Sequence, residues 1–124
     1  AATATGSLDV TVNRVTLRAA DLPQNSVGFF LTSRTQGSTP HPGGSQGVLC
    51  LGGAIGRYVG PGQILNSGPA GMVSLPLDLT QLPQPTGFVS VQPGETWNFQ
   101  YWFRDANPQT TSNTSSALRV TFCR

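Results

Sequence analysis

The amino-acid sequence predicts an all-β chain, a two-sheet antiparallel β-sandwich of about eight or nine short strands, with a β-barrel as the alternative. Three observations carry this. No window of about 11 to 18 residues keeps an apolar 3,4 spacing without Pro, Gly or a polar cluster breaking it, so helix signals are nearly absent. Apolar and polar residues instead alternate over short stretches, which is the period of a strand with one buried face. Finally, 15 Gly and 10 Pro punctuate the 124 residues at short intervals.

The elements follow in order. Residues 1–6 read as a flexible N-terminal segment or linker, and residues 7–124 as a single domain. Leu8, Val10 and Val12 alternate with polar residues, and Val15 and Leu17 continue, so one long or bulged strand is expected here. In Val27–Ser33, Val27, Phe29 and Leu31 share one face and Phe30 falls on the other. Thr35 to Gly47 is rich in Gly, Pro and Ser and reads as a long loop. Short extended segments follow at Val48–Leu51, Ile55–Val59 and Gln63–Ser67, and Gly68-Pro69-Ala70-Gly71 is a turn.

Met72–Leu79 alternates cleanly, but Pro76 cannot donate to a ladder, so this strand belongs at an edge or carries a bulge. Pro83 and Pro85 mark a crossover to a strand at Phe88–Val91, and Pro93-Gly94 forms the centre of a type II turn. The strongest strand is Thr96–Arg104. Trp97, Phe99, Tyr101 and Phe103 take one parity; Asn98, Gln100, Trp102 and Arg104 take the other. The four-aromatic face should form the densest part of the core. Leu118, Val120 and Phe122 give the last inward set, leaving Cys123 with outward parity.

Composition excludes several functions. All seven basic groups are Arg, none adjacent to another, so no dense phosphate-tracking stripe exists and no nucleic-acid partner is expected. No stretch approaches the roughly 20 apolar residues of a membrane helix, so no membrane insertion is expected. Cys50 and Cys123 fit no metal-ligand spacing. A Cys50–Cys123 disulfide is expected in an oxidising compartment, where closing so long a loop contributes roughly 4 kcal/mol. Two buried free thiols are the rival reading. The polar, Lys-free, Gly- and Pro-rich composition favours secretion.

Three blocks share a likeness: Gly47-Val48-Leu49-Cys50-Leu51-Gly52-Gly53-Ala54-Ile55-Gly56-Arg57-Tyr58, Leu75-Pro76-Leu77-Asp78-Leu79-Thr80, and Pro93 through Asp105. Together they resemble a C-terminal β-rich module of large secreted bacterial multidomain proteins of the planctomycete type, over most of the chain from about Gly28 to Phe122. The resemblance implies an extracellular or cell-surface setting and neighbouring domains of a larger secreted protein as partners. It carries no established catalytic or ligand residues.

Catalytic chemistry finds little support. His41 is the only His and sits in the loop Pro40-His41-Pro42-Gly43, and no Ser lies in a G-x-S-x-G pattern. Asp78, Glu95 and Asp105 are the acids a hydrolase would need to pair, and each reads as a strand-end or turn residue. No cofactor is expected; a structural calcium is the exception considered, although no Asp-rich spacing supports one. Asn113-Thr114-Ser115 matches a glycosylation acceptor, with no modification expected in a bacterial exoprotein.

A binding surface is better supported. Trp102 has outward parity, with Gln100 and Arg104 beside it, and such an indole stacks on the apolar face of a sugar while polar neighbours hold its hydroxyls. Tyr58 with Arg57 is a second candidate patch. The expected function is therefore a non-catalytic accessory or structural module of a secreted or cell-surface protein. A carbohydrate-binding module for a polysaccharide or cell-surface glycan is the first alternative and a small secreted hydrolase the second.

Overall fold

The structure, a computed structural model, describes residues 2–40, 48–60, 62–105, 111–114 and 117–123. Among them are no helices. The strands are β1 (Ala2–Gly6), β2 (Val15–Ala19), β3 (Val27–Ser33), β4 (Thr35–Pro40), β5 (Val48–Gly52), β6 (Gly56–Arg57) and β7 (Leu65–Asn66). They continue with β8 (Val73–Leu77), β9 (Leu82–Gln84), β10 (Gly87–Val89), β11 (Thr96–Asp105), β12 (Thr111–Thr114) and β13 (Leu118–Thr121). The strand number exceeds expectation because β1, β4 and β9 form where a linker, a loop and a crossover are expected.

Two antiparallel sheets form the sandwich, and neither closes into a barrel. The smaller has the order β1-β2-β8. The larger has the order β12-β11-β3-β6, with β13 also on β11 and β7 also on β3. Thus β11 holds β12 along Trp102–Asp105 and β13 along Thr96–Phe99, end to end on one edge. Its other edge pairs with β3, setting Tyr101 opposite Phe30 and Trp102 opposite Phe29.

The core lies between these sheets, because their alternation points toward each other. Trp97, Phe99, Tyr101 and Phe103 come from β11, Phe30 from β3, Val15, Leu17 and Ala19 from β2, and Val73, Leu75 and Leu77 from β8. Pro76 lies opposite Thr16 on β8, an edge strand, where its missing N–H costs no ladder bond. Gly94 takes φ 86° and the Glu95 N–H donates to Gln92 O at 3.1 Å, as the expected type II turn requires.

Several expectations change. The N-terminal segment is not a free linker: Ala2–Gly6 is an edge strand paired along its length with β2, with Ala2 buried. The long strand expected from Leu8 breaks instead. Asn13 adopts φ 50°, the Val12 N–H donates to Asp9 O at 3.1 Å, and Leu8 and Val12 are exposed in the resulting turn. The expected loop from Thr35 begins as β4, which pairs with β5 through a bulge between Gln36 and Thr39. Phe88 belongs to a short hairpin, β9–β10, and is 69% exposed; Val91 beyond it is buried.

The β4–β5 hairpin makes a third layer. It lies on the outer face of the larger sheet, where Leu51 and Leu31 are buried apart from the main core. Gln100, outward by parity, is fully buried there, and its Oε1 accepts the Cys50 N–H at 2.9 Å. Asn98 is 3% exposed and donates from Nδ2 to Ser33 O at 3.2 Å. Leucine at Gln100 removes the acceptor that docks the hairpin. We expect a stability loss of about 1–2 kcal/mol by urea denaturation, with faster amide exchange at Cys50. Unchanged exchange would show that the hairpin is held by its apolar contacts alone.

The expected Cys50–Cys123 bridge does not form. Cys50 sits on β5, where its N–H is held by Gln100 Oε1 at 2.9 Å. Cys123 lies beyond the end of β13 and is exposed; its N–H donates to Leu8 O at 2.9 Å and its carbonyl accepts the Val10 N–H at 2.9 Å. These separate ties hold the two cysteines on different elements.

Candidate functional site

The outward row of β11 runs Thr96, Asn98, Gln100, Trp102 and Arg104. At roughly 3.3 Å per residue, Asn98 and Trp102 stand about 13 Å apart. The β4–β5 hairpin covers the middle of this row, at Gln100. Its two ends differ in chemistry.

The Trp102 end is aromatic. Register places Phe29 beside Trp102 and Val27 beside Arg104, since Phe103 lies opposite Gly28. The Phe29 and Trp102 ring centroids are 5.2 Å apart, tilted by 37°. The Arg104 guanidinium lies over the indole at 5.1 Å. Trp102 and Phe29 are half-buried, while Arg104 and Val27 are exposed. This combines an apolar platform with a cation whose remaining N–H groups face the rim. Cation–π contact at such a half-exposed site stabilises by about 0.5–1 kcal/mol and holds the guanidinium in place.

Phe29 and Val27 complete the site. Alternation sets Val27, Phe29 and Leu31 on one face of β3 and Phe30 on the other, and the structure turns Phe30 inward, where it meets Tyr101 at 4.8 Å in a T-shaped contact across the β3–β11 ladder. Pairing with the aromatic face of β11 decides the orientation of β3.

The other sequence candidates separate. Gln100 docks the hairpin and is closed to ligand. Tyr58 is 2% exposed within the main core, so it cannot serve as a platform. Its hydroxyl has no hydrogen-bond partner among the described residues, and burial pushes its pKa well above the ordinary tyrosine value. Tyr58 turns inward because its N–H donates to Phe30 O at 3.0 Å, which seats it beside the core face of β3. Arg57 remains exposed and lines a shallow cleft of about 390 Å³ with Ile55, Val59, Gln84 and Pro85. Arg57 and Tyr58 therefore form no common patch.

The carboxylates act as ties. Asp78 Oδ1 accepts Thr80 Oγ1–H at 2.6 Å, Thr80 N–H at 3.0 Å and Asn13 Nδ2–H at 3.2 Å. These bonds, led by the Thr80 hydroxyl, hold its pKa below the usual carboxylate value. Glu95 accepts Gln92 N–H at 2.8 Å and Trp97 Nε1–H at 3.3 Å on Oε1, and Arg34 Nη1–H at 2.7 Å on Oε2. Asp9 Oδ1 accepts the Thr11 N–H at 2.9 Å and its hydroxyl at 2.7 Å. Asp78 and Glu95 thus serve separate turns and face no common cleft. His41, the Asp105 and Asn113 side chains and Ser115 lie outside what is described. No grouping of metal-ligating side chains occurs among the described residues, nor any helix long and apolar enough to cross a membrane.

No protein-family model, curated protein or solved structure matches this chain.

Proposed function

We propose that this chain is a non-catalytic accessory module of a secreted or cell-surface protein, attaching to glycan through the Trp102 end of the larger sheet. The observation that carries this reading is the Phe29–Trp102–Arg104 stack, left half-open on an outward sheet face with Val27 exposed beside it. A pyranose ring has one face of C–H groups and a rim of hydroxyls. The indole takes the first and the Arg104 fork the second. The site is half-exposed, which suits weak contacts repeated along a polymer. The sandwich beneath supplies a rigid support, since Tyr101 and Phe103 lock β11 from its core side. The composition, which lacks Lys, and the likeness of three sequence blocks to modules of secreted bacterial proteins support the extracellular setting. They also support neighbouring domains as partners.

Trp102→Ala tests the site. We expect binding to at least one of cellulose, xylan, chitin or pectin in a pull-down, and a loss of about tenfold or more in the variant, equivalent to about 1.4 kcal/mol. An unchanged denaturation midpoint would show that the fold survives. Equal binding by both proteins would refute the site.

A further inference from the structure

At the Thr96 end of the same outward row lies a second, different surface. A shallow cleft of about 330 Å³ is lined by Arg34, Thr35, Gln36, Thr96, Asn98 and Arg119. None of these side chains is a large apolar one. We infer that this cleft binds the carboxylate of an acidic sugar, a uronic acid unit within a polysaccharide. The inference rests on the glycan-binding reading above for its setting, but on different residues for its chemistry.

Strand pairing builds the cleft. Arg119 of β13 lies opposite Asn98 of β11, and Thr121 lies opposite Thr96 with their hydroxyls 2.9 Å apart. Arg34 reaches in from the turn between β3 and β4. Its Nη1–H donates to Glu95 at 2.7 Å, and its guanidinium lies 5.8 Å from the Trp97 ring centroid. Those contacts fix the fork while leaving the side chain 52% exposed. A guanidinium has five N–H donors, so one bond to Glu95 leaves others for a ligand. Arg119 has no carboxylate partner among the described residues. The two Arg against one Glu give the cleft an excess positive charge.

A planar guanidinium matches a carboxylate through two parallel N–H···O bonds. The hydroxyls of Thr35 and Thr96 and the amide of Gln36 match the alcohol groups of a sugar ring, while Asn98, buried beneath them and tied to Ser33 O, forms the floor. A bare inorganic anion would use the first set and leave the second without purpose. A neutral sugar would use the second and leave Arg119 unpaired. A uronate uses both.

Amide chemical-shift mapping on the ¹⁵N-labelled chain tests this with galacturonate, galactose and sulfate as probes. We expect galacturonate to shift Thr96, Asn98, Arg119 and Arg34 saturably, with galactose and sulfate at least tenfold weaker there. Arg119→Gln, on an exposed position, should weaken the galacturonate response about tenfold or more, and Trp102→Ala should leave it unchanged. Galacturonate shifts confined to Trp102 and its neighbours would overturn the cleft while sparing the aromatic platform. Sulfate matching galacturonate would overturn the sugar class. Unchanged affinity in Arg119→Gln would overturn the assignment to these residues. Shifts at the cleft beside a failed Trp102→Ala binding test would leave this inference standing and remove the platform.

Discussion

Alanine at Gly56 is expected to unseat one edge of the sandwich. A Cβ at this position would come within 1.8 Å of Pro83 O and 2.4 Å of its carbonyl carbon. Both are backbone atoms, so no rotamer change relieves the clash. Gly56 is where β6, on the larger sheet, passes closest to β9. Moving β9 away uncovers Leu82, which is fully buried in the core. Overpacking of this kind costs about 3 kcal/mol, a large share of the stability of a domain this size. The measurement is a urea denaturation midpoint together with binding of a hydrophobic dye, which should rise as Leu82 becomes exposed. A midpoint within error of the parent would contradict the close approach of β6 and β9.

The second large effect is expected at Phe99. Its ring is fully buried at the centre of β11, between Trp97 and Tyr101 on the same face. Opposite it on the β3 ladder is Thr32, whose hydroxyl donates to Asn98 O at 3.0 Å. Strands flank β11 on both edges, so the surroundings have little room to collapse into the space a smaller side chain leaves. Phe99→Ala should therefore lower stability by about 3–5 kcal/mol. For a domain of this length the melting temperature should fall by about 10–20 °C. A loss below about 1 kcal/mol would mean that the aromatic face of β11 is not the core.

The two faces of β11 differ in how far the sequence discloses them. The aromatic alternation from Trp97 to Phe103 is legible because four large rings on one parity have only one stable destination. Pro76 is legible because a missing donor confines it to an edge, and Pro93-Gly94 because few turns accept that pair. The outward parity of Trp102 and Arg104 follows from the same alternation and survives in the structure. Gln100 and Asn98 share that parity, yet both are buried. Their cover is the β4–β5 hairpin, in which β4 is written in Thr, Gln, Gly, Ser and Pro with no alternation to reveal it. Burial of a polar side chain under such a layer depends on a contact between distant segments. Tyr58 is a similar case: its ladder segment is two residues long, too short for parity to mean anything. In the segment from Leu8 to Leu17 the apolar parity switches between Val12 and Val15, and Asn13 in a left-handed conformation turns it into two elements there. The Arg34–Arg119 cleft joins residues from three strands and a turn, and only the register of β13 on β11 brings them together.

The proposed function turns on Trp102, on the outer face of the larger sheet, meeting a glycan. Iodide quenching of intrinsic Trp fluorescence, with and without polysaccharide, tests it most directly. Trp97 is 2% exposed and should be protected, so Trp102 should supply the quenchable signal. One accessible Trp is expected, its quenching falling saturably as glycan is added, with the response absent in Trp102→Ala. Two protected Trp with no response to any glycan would contradict it.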